Sequence, residues 1–129
     1  RIMAENRTVT IRASAAFSAT AAGTPVASHG ARGIVIYLNA TAVSGTSPTA
    51  DCKLQGYDAL ADVWQDIAGA AFAQVTAAAT QTLTVYPGVA ETGNVSVSDV
   101  VPALLRVHST IGGSSTPTVT FSLGGVFIP

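Results

Sequence analysis

Leu104-Leu-Arg-Val-His-Ser-Thr-Ile-Gly-Gly-Ser-Ser-Thr-Pro-Thr-Val-Thr-Phe-Ser-Leu-Gly-Gly-Val-Phe-Ile-Pro129 alternates apolar and polar residues on both sides of a Gly/Ser/Pro turn. Leu105, Val107 and Ile111 share one parity, with Ser109 between them, and Val119, Phe121 and Leu123 share another. Arg106, His108 and Thr110, then Thr118, Thr120 and Ser122, fill the alternate positions, so each strand has one dry face and one wet face. Gly112-Gly113 admits a positive φ, and Pro117 has no N–H for an inner ladder. The spacing therefore predicts two strands closed into an antiparallel hairpin. Two-faced hairpins of this kind build β-sandwiches.

The same period runs upstream. Thr8 to Phe17 places Val9, Ile11, Ala13, Ala15 and Phe17 on one side, which predicts a first strand. Residues 19–30, rich in small residues with Gly23, Pro25 and Gly30, read as a connection or an ordered arm lying on a neighbour. Arg32 to Val43 is apolar on both faces and predicts a central strand or one covered on its outer side. Ser44-Gly-Thr-Ser-Pro48 reads as a turn that returns residues 50–57 as its partner strand. Asp58 to Asp62 is a polar turn into a short strand over residues 63–69. Between Ala70 and Thr80 the alanines favour helix, but Val75, Thr76 and Thr80 are β-branched and no cap is present, so a strand through Phe72 and Val75 is preferred. Residues 81–86 form a strand stopped by Pro87-Gly88, and residues 95–99 a short edge strand. About eight strands with little or no helix point to an all-β antiparallel sandwich, jelly-roll-like or Ig-like. Residues 1–31 supply an N-terminal strand and connection, and residues 32–129 the body of a single domain.

Charged residues make up 10% of the 129, against about 25% in an ordinary soluble domain, and the net charge is −1. Near-neutral surfaces associate, so Thr, Ser and Ala in place of charge predict an outside covered by neighbouring subunits; a hydroxyl-rich monomer is the alternative. Cys52 is the single cysteine, which rules out an internal disulfide and predicts a small buried apolar residue. No apolar run approaches the ~20 residues that span a bilayer, and the first residues lack the basic, apolar and small-residue pattern expected of a secretory signal. The six basic residues are scattered without aromatic interleaving, which argues against a nucleic-acid partner. Met3-Ala-Glu-Asn resembles a translation start, with Arg1-Ile2 preceding it.

The residues able to do chemistry form no active-site pattern. Asp58, Asp62 and Asp66 recur every four residues, but strand and turn geometry makes them diverge as solvated carboxylates. A calcium site that includes Asp51 or Asp58 is the alternative, and no metal or cofactor is expected. His29 and His108 are the histidines available as general bases; no Gly-x-Ser-x-Gly, His-Glu-x-x-His or phosphate-binding glycine loop accompanies them, so no catalytic residues are expected. Trp64, Tyr57 and Tyr37 suggest an aromatic platform for a glycan, against the alternative that the rings fill the core or an interface.

Residues 47–58, 64–72, 104–113 and 117–123 resemble small β-sandwich virion proteins of tailed bacteriophages, a pattern of strands over about two thirds of the chain with no site residue to carry across. The resemblance implies a structural protein of the particle, most simply a capsid decoration or cement protein. Such a protein would bind the major capsid protein across capsomers as a homo-oligomer, for example a trimer, on a virion assembled in the bacterial host. Its expected contacts are Arg1, Ile2, Met3, Arg7, Arg12 and Phe17 of the N-terminal segment, His29 of the connection, and Arg32. A tail-tube, tail-tip or fibre-associated protein and a carbohydrate-binding module are the alternative readings.

Overall fold

The computed structural model describes residues 5–129, and these form eight strands with no helix. The strands are β1 (Arg7–Phe17), β2 (Ala21–Ala22), β3 (Val26–Ala27), β4 (Gly33–Asp58), β5 (Val63–Ala71), β6 (Ala79–Val85), β7 (Ser96–Val97) and β8 (Leu104–Ile128). The all-β class stands. The strand pairing differs from the reading of the turns.

β4 and β8 are 26 and 25 residues long and pair antiparallel from end to end, from Gly33 opposite Ile128 to Gly56 opposite Leu105. The expected hairpin between residues 105–111 and 119–123 does not form, and residues 50–57 do not return onto residues 34–43. Each pair of segments belongs to one continuous strand. The physical reason is that the two turn sequences face one another: Thr46 stands opposite Ser114, and the ladder slips register between Ser44 and Thr49. Both strands bend there together instead of each reversing. The bend uses left-handed backbone at Gly45 and Gly113, and also at Ser47, Ser115 and Thr116. A Cβ on Gly113 would meet Ser47 O at 2.8 Å, and one on Gly45 would meet Pro117 Cα at 2.7 Å, so both positions need glycine for space as well as conformation.

The bend doubles the ribbon back on itself. In a straight β8, Val107 and Leu123 would be about 50 Å apart at ~3.3 Å per residue. Yet Gly23 N donates to Val107 O at 2.8 Å, while a Cβ on Gly23 would lie 3.6 Å from Ile11 O, beside the β1 residues that pair Gly124 and Leu123. The halves therefore face each other. Their inward residues, Ile34, Ile36, Leu38, Cys52, Leu54, Leu105, Val107, Val119, Phe121, Leu123 and Phe127, all fall into one buried cluster. The first half is flanked by β1 on β8 and by β6 then β7 on β4, and the second by β2 and β3 on β8 and by β5 on β4. All eight strands are thus hydrogen-bonded into one folded-over sheet, in place of two separately paired sheets. The sheet is mixed because β7 runs parallel to β6.

Other expectations fare unevenly. The 34–43 segment is central, between β8 and β6, but its outer face is open, with Tyr37 49% exposed. The 58–62 turn closes a true hairpin, with Asp58 opposite Val63 and Tyr57 opposite Trp64. Residues 70–80 contain no helix: Ala50 and Val75 exchange both backbone bonds, at 3.0 and 2.9 Å, and Phe72 N donates to Cys52 O. Residues 19–30 are laid on their own chain through β2, β3 and Ser28 N to Ala103 O.

Candidate functional site

The polar groups of this charge-poor chain gather on the outward face of the second half. Cys52 and Leu54 point into the core, so strand alternation turns Lys53, Gln55 and Tyr57 outward. Trp64 and Asp66 of β5 stand opposite Tyr57 and Gln55, and Arg106 and His108 of β8 stand opposite Gln55 and Lys53. Gln55 links the row: its Oε1 accepts from Arg106 Nε at 2.8 Å and its Nε2 donates to Asp66 Oδ1 at 2.9 Å. Lys53 Nζ donates to the other Asp66 oxygen at 2.9 Å. The Arg106 guanidinium lies 4.4 Å from the Trp64 ring centre, and the Tyr57 and Trp64 rings meet at 5.1 Å with a 46° tilt. Beneath this cover Gln55 is only 7% exposed.

Electrostatics follow the contacts. The hydrogen bond from Gln55, then that from Lys53, holds the Asp66 carboxyl below its ordinary range. Partial burial, then Lys53 and Arg106, lowers the His108 imidazole, whose Nδ1 is buried without a hydrogen-bond partner. These groups form a braced surface in which the polar ends of Lys53, Gln55, Asp66 and Arg106 are each engaged by a neighbour.

Below it, the β4–β5 turn projects an apolar tip. Asp58 Oδ1 accepts from Leu60 N and Ala61 N at 3.1 and 3.2 Å, and Tyr57 OH donates to Asp62 Oδ1 at 2.5 Å, which raises the tyrosine pKa. The backbone is fixed, and Leu60 stands 99% exposed at its apex. Sequence reading missed this tip and the bridging role of Gln55. The first was signalled by Asp58 and Asp62 bracketing Ala-Leu-Ala; the second needed the β8 register, which the turn reading had misplaced.

The expected site residues are distributed as follows. Tyr57 and Trp64 come together, but Arg106 covers one ring face of Trp64, and Tyr37 lies on the outward face of the other half. Arg7 packs over the Phe127 ring at 4.6 Å and donates to Ser28 O at 2.7 Å. With His29 it lines a shallow cavity of about 220 Å³. Arg12 lies 3.9 Å over Phe17, which meets Phe121 at 4.7 Å; partial burial lowers the Arg12 pKa, and its Nη1 has no partner. Arg32 lies 5.9 Å from the Tyr86 ring centre. Arg1, Ile2 and Met3 fall outside the described residues. Asp58, Asp62 and Asp66 diverge into separate contacts, and Asp51 accepts from Gln74. Among the described residues no three His, Cys, Asp or Glu are placed to hold a metal ion, and no helix is long and apolar enough to cross a membrane.

Compared with family models, curated proteins and solved structures, the chain matches none significantly.

Proposed function

We propose that this chain is a non-enzymatic structural protein of a tailed-bacteriophage particle, a head decoration protein that binds the major capsid protein across capsomer joints. The observation that carries the reading is compositional: a sheet with 10% charged residues whose outward positions are largely Thr, Ser and Ala. Such a surface has little to keep copies apart and favours association with neighbours. Several of its few charges are held within the chain, Lys53 on Asp66, and Arg7, Arg12 and Arg106 over rings, which stiffens the surface. A cement protein acts by burying area at joints, so that internal pressure has extra contacts to break. Each contact can be small because the lattice repeats it. The resemblance to phage virion proteins supports the particle assignment, and the exposed Leu60 tip offers an apolar contact beside the acidic Asp58 and Asp62.

The test is binding to purified, expanded heads that lack decoration. Saturable binding at a fixed copy number per capsomer, with a higher particle melting temperature, is the expected result. Recovery of the protein in isolated tails and not on heads would replace this reading with the tail one, and absence from both would overturn the virion assignment.

A further inference from the structure

We infer that β1 is a self-association edge, and that two copies pair their β1 strands antiparallel about a twofold axis at Arg12. The inference stands apart from the particle reading, because it concerns the chain alone.

β1 is 11 residues long and ends the sheet: among the described residues it pairs β8 on one side and no strand on the other. An edge of that length presents a row of unpaired N–H and C=O groups, and proteins that stay monomeric guard such rows with outward charge, proline or β-bulges; the bulges of β1 lie between Thr10 and Ala15 and leave a regular run on either side. β1 has no proline, and its charges are Arg7 and Arg12. Neither acts as a guard, because the Arg7 guanidinium packs over Phe127 and donates to Ser28 O, and the Arg12 guanidinium is folded over the Phe17 ring at 3.9 Å with Nη1 buried. Beside Arg7, what is exposed along the strand is Thr8, Thr10 and the run Ala13 to Ala16.

The choice of partner follows from what a second copy offers. β2, β3 and β7 are two residues each, the seven-residue β6 is met by β7 at Thr84 and Val85, and the nine-residue β5 carries the exposed charge of Asp66. Among the described residues β1 is therefore the longest edge available to meet another. A row whose charges are both turned onto their own chain is also complementary to itself, and like-with-like pairing closes as a twofold dimer.

The bulges set the register. β1 slips against β8 between Thr10 and Arg12 and again between Arg12 and Ala15. This leaves two regular runs, Arg7–Thr10 and Ala15–Phe17, on either side of an irregular centre where Gly23 also approaches Ile11 O. Antiparallel pairing centred on Arg12 lays the first run of one copy on the second run of the other: Arg7 opposite Phe17, Thr8 opposite Ala16, Val9 opposite Ala15. The irregular centres then meet at the axis, where no ladder is required.

The experiment uses the full chain. Sedimentation of the wild type should give twice the chain mass, and Ala16→Lys should weaken the dimer roughly tenfold while the circular dichroism spectrum is unchanged. The double variant Thr8→Cys/Ala16→Cys should form an interchain disulfide under mild oxidation, and neither single variant should. Within one chain these positions are about 26 Å apart at ~3.3 Å per residue, too far for a bridge, and Cys52 is buried. A wild type that sediments as a single chain at its highest soluble concentration would overturn the inference. So would an oligomer, trimeric or otherwise, that is unaffected by Ala16→Lys and yields no disulfide from the double variant.

Discussion

Cys52 Sγ and Ser109 Oγ lie 3.3 Å apart, both sealed in the core where β4 meets β8. Burial pushes the thiol pKa up, although the serine and the nearby Arg12 oppose it. The folded thiol therefore keeps its proton where the unfolded one loses it, and folding stability is intact below the ordinary thiol pKa and declines as pH rises past about 8.5. A thiol-specific reagent at pH 8 should label the native protein only as fast as it unfolds, and should label it at once in denaturant. Rapid native labelling would contradict the buried geometry.

Gln55 should matter more than the ion pair it touches. Gln55→Ala removes the link that pairs both Arg106 and Asp66 and is expected to cost about 1–2 kcal/mol, in the range for a partly buried hydrogen-bonded group. Asp66→Asn weakens a pair with the partly exposed Lys53, for which less than about 1 kcal/mol is expected. Urea unfolding followed by Trp64 fluorescence orders the two variants; the reverse order would count against Gln55 as the link.

His108 makes stability fall on mild acidification. Its folded pKa lies below the ordinary histidine value because of partial burial, then Lys53 and Arg106, with Arg12 adding and Asp66 opposing. The unfolded state thus binds the proton first, so stability present above the unfolded pKa of about 6.5 is lost as pH drops through it. Melting temperatures from pH 7.5 to 5.5 should decline in the wild type and decline less in His108→Gln. Parallel curves for the two proteins would exclude the effect.

Two glycines in the first half provide a paired test of packing. A Cβ on Gly33 would collide with the Tyr86 ring and lie 2.6 Å from Val85 O, whereas one on Gly124 would have nothing within 4 Å. Gly33→Ala should destabilise by about 1–3 kcal/mol through overpacking. Gly124→Ala should be neutral or stabilise by up to about 1 kcal/mol through the unfolded chain. Thermal melts of both decide it, and equal losses would refute the close approach at Gly33.

Alternation made the strands legible. Ile34, Ile36 and Leu38, and likewise Leu105 and Val107, are buried as their parity requires, because a two-residue period is a local property. Pairing was not legible. Ser44 to Pro48 and Gly112 to Pro117 each carry the residues of a reversing turn, and nothing in either stretch reports that the other will lie beside it. Local chemistry fixes that the backbone bends at Gly45 and Gly113; whether it bends by a corner or a full reversal depends on long-range register. The same gap hid the surface row, since Arg106, Gln55 and Asp66 meet across three strands. The Tyr57–Trp64 contact was within reach because the short turn that follows Asp58 and ends at Asp62 sets its own register.

The end-to-end pairing of β4 and β8 has a cost during synthesis. Gly33 has to wait for Ile128, and at about 5–20 residues per second that wait is roughly 5–20 s. Until β6 emerges Ile34, Ile36 and Leu38 have no partner strand, and for the rest of the interval the side that β8 will occupy stays open. The nascent chain can hold local pieces such as the β4–β5 hairpin, but its central ladder closes only after β8 has left the exit tunnel, with loop closure as the slow step. Cellular yield of this protein is therefore governed by how well that interval is shielded, and slower, colder expression or added holdase chaperones should recover material that the finished fold is stable enough to keep.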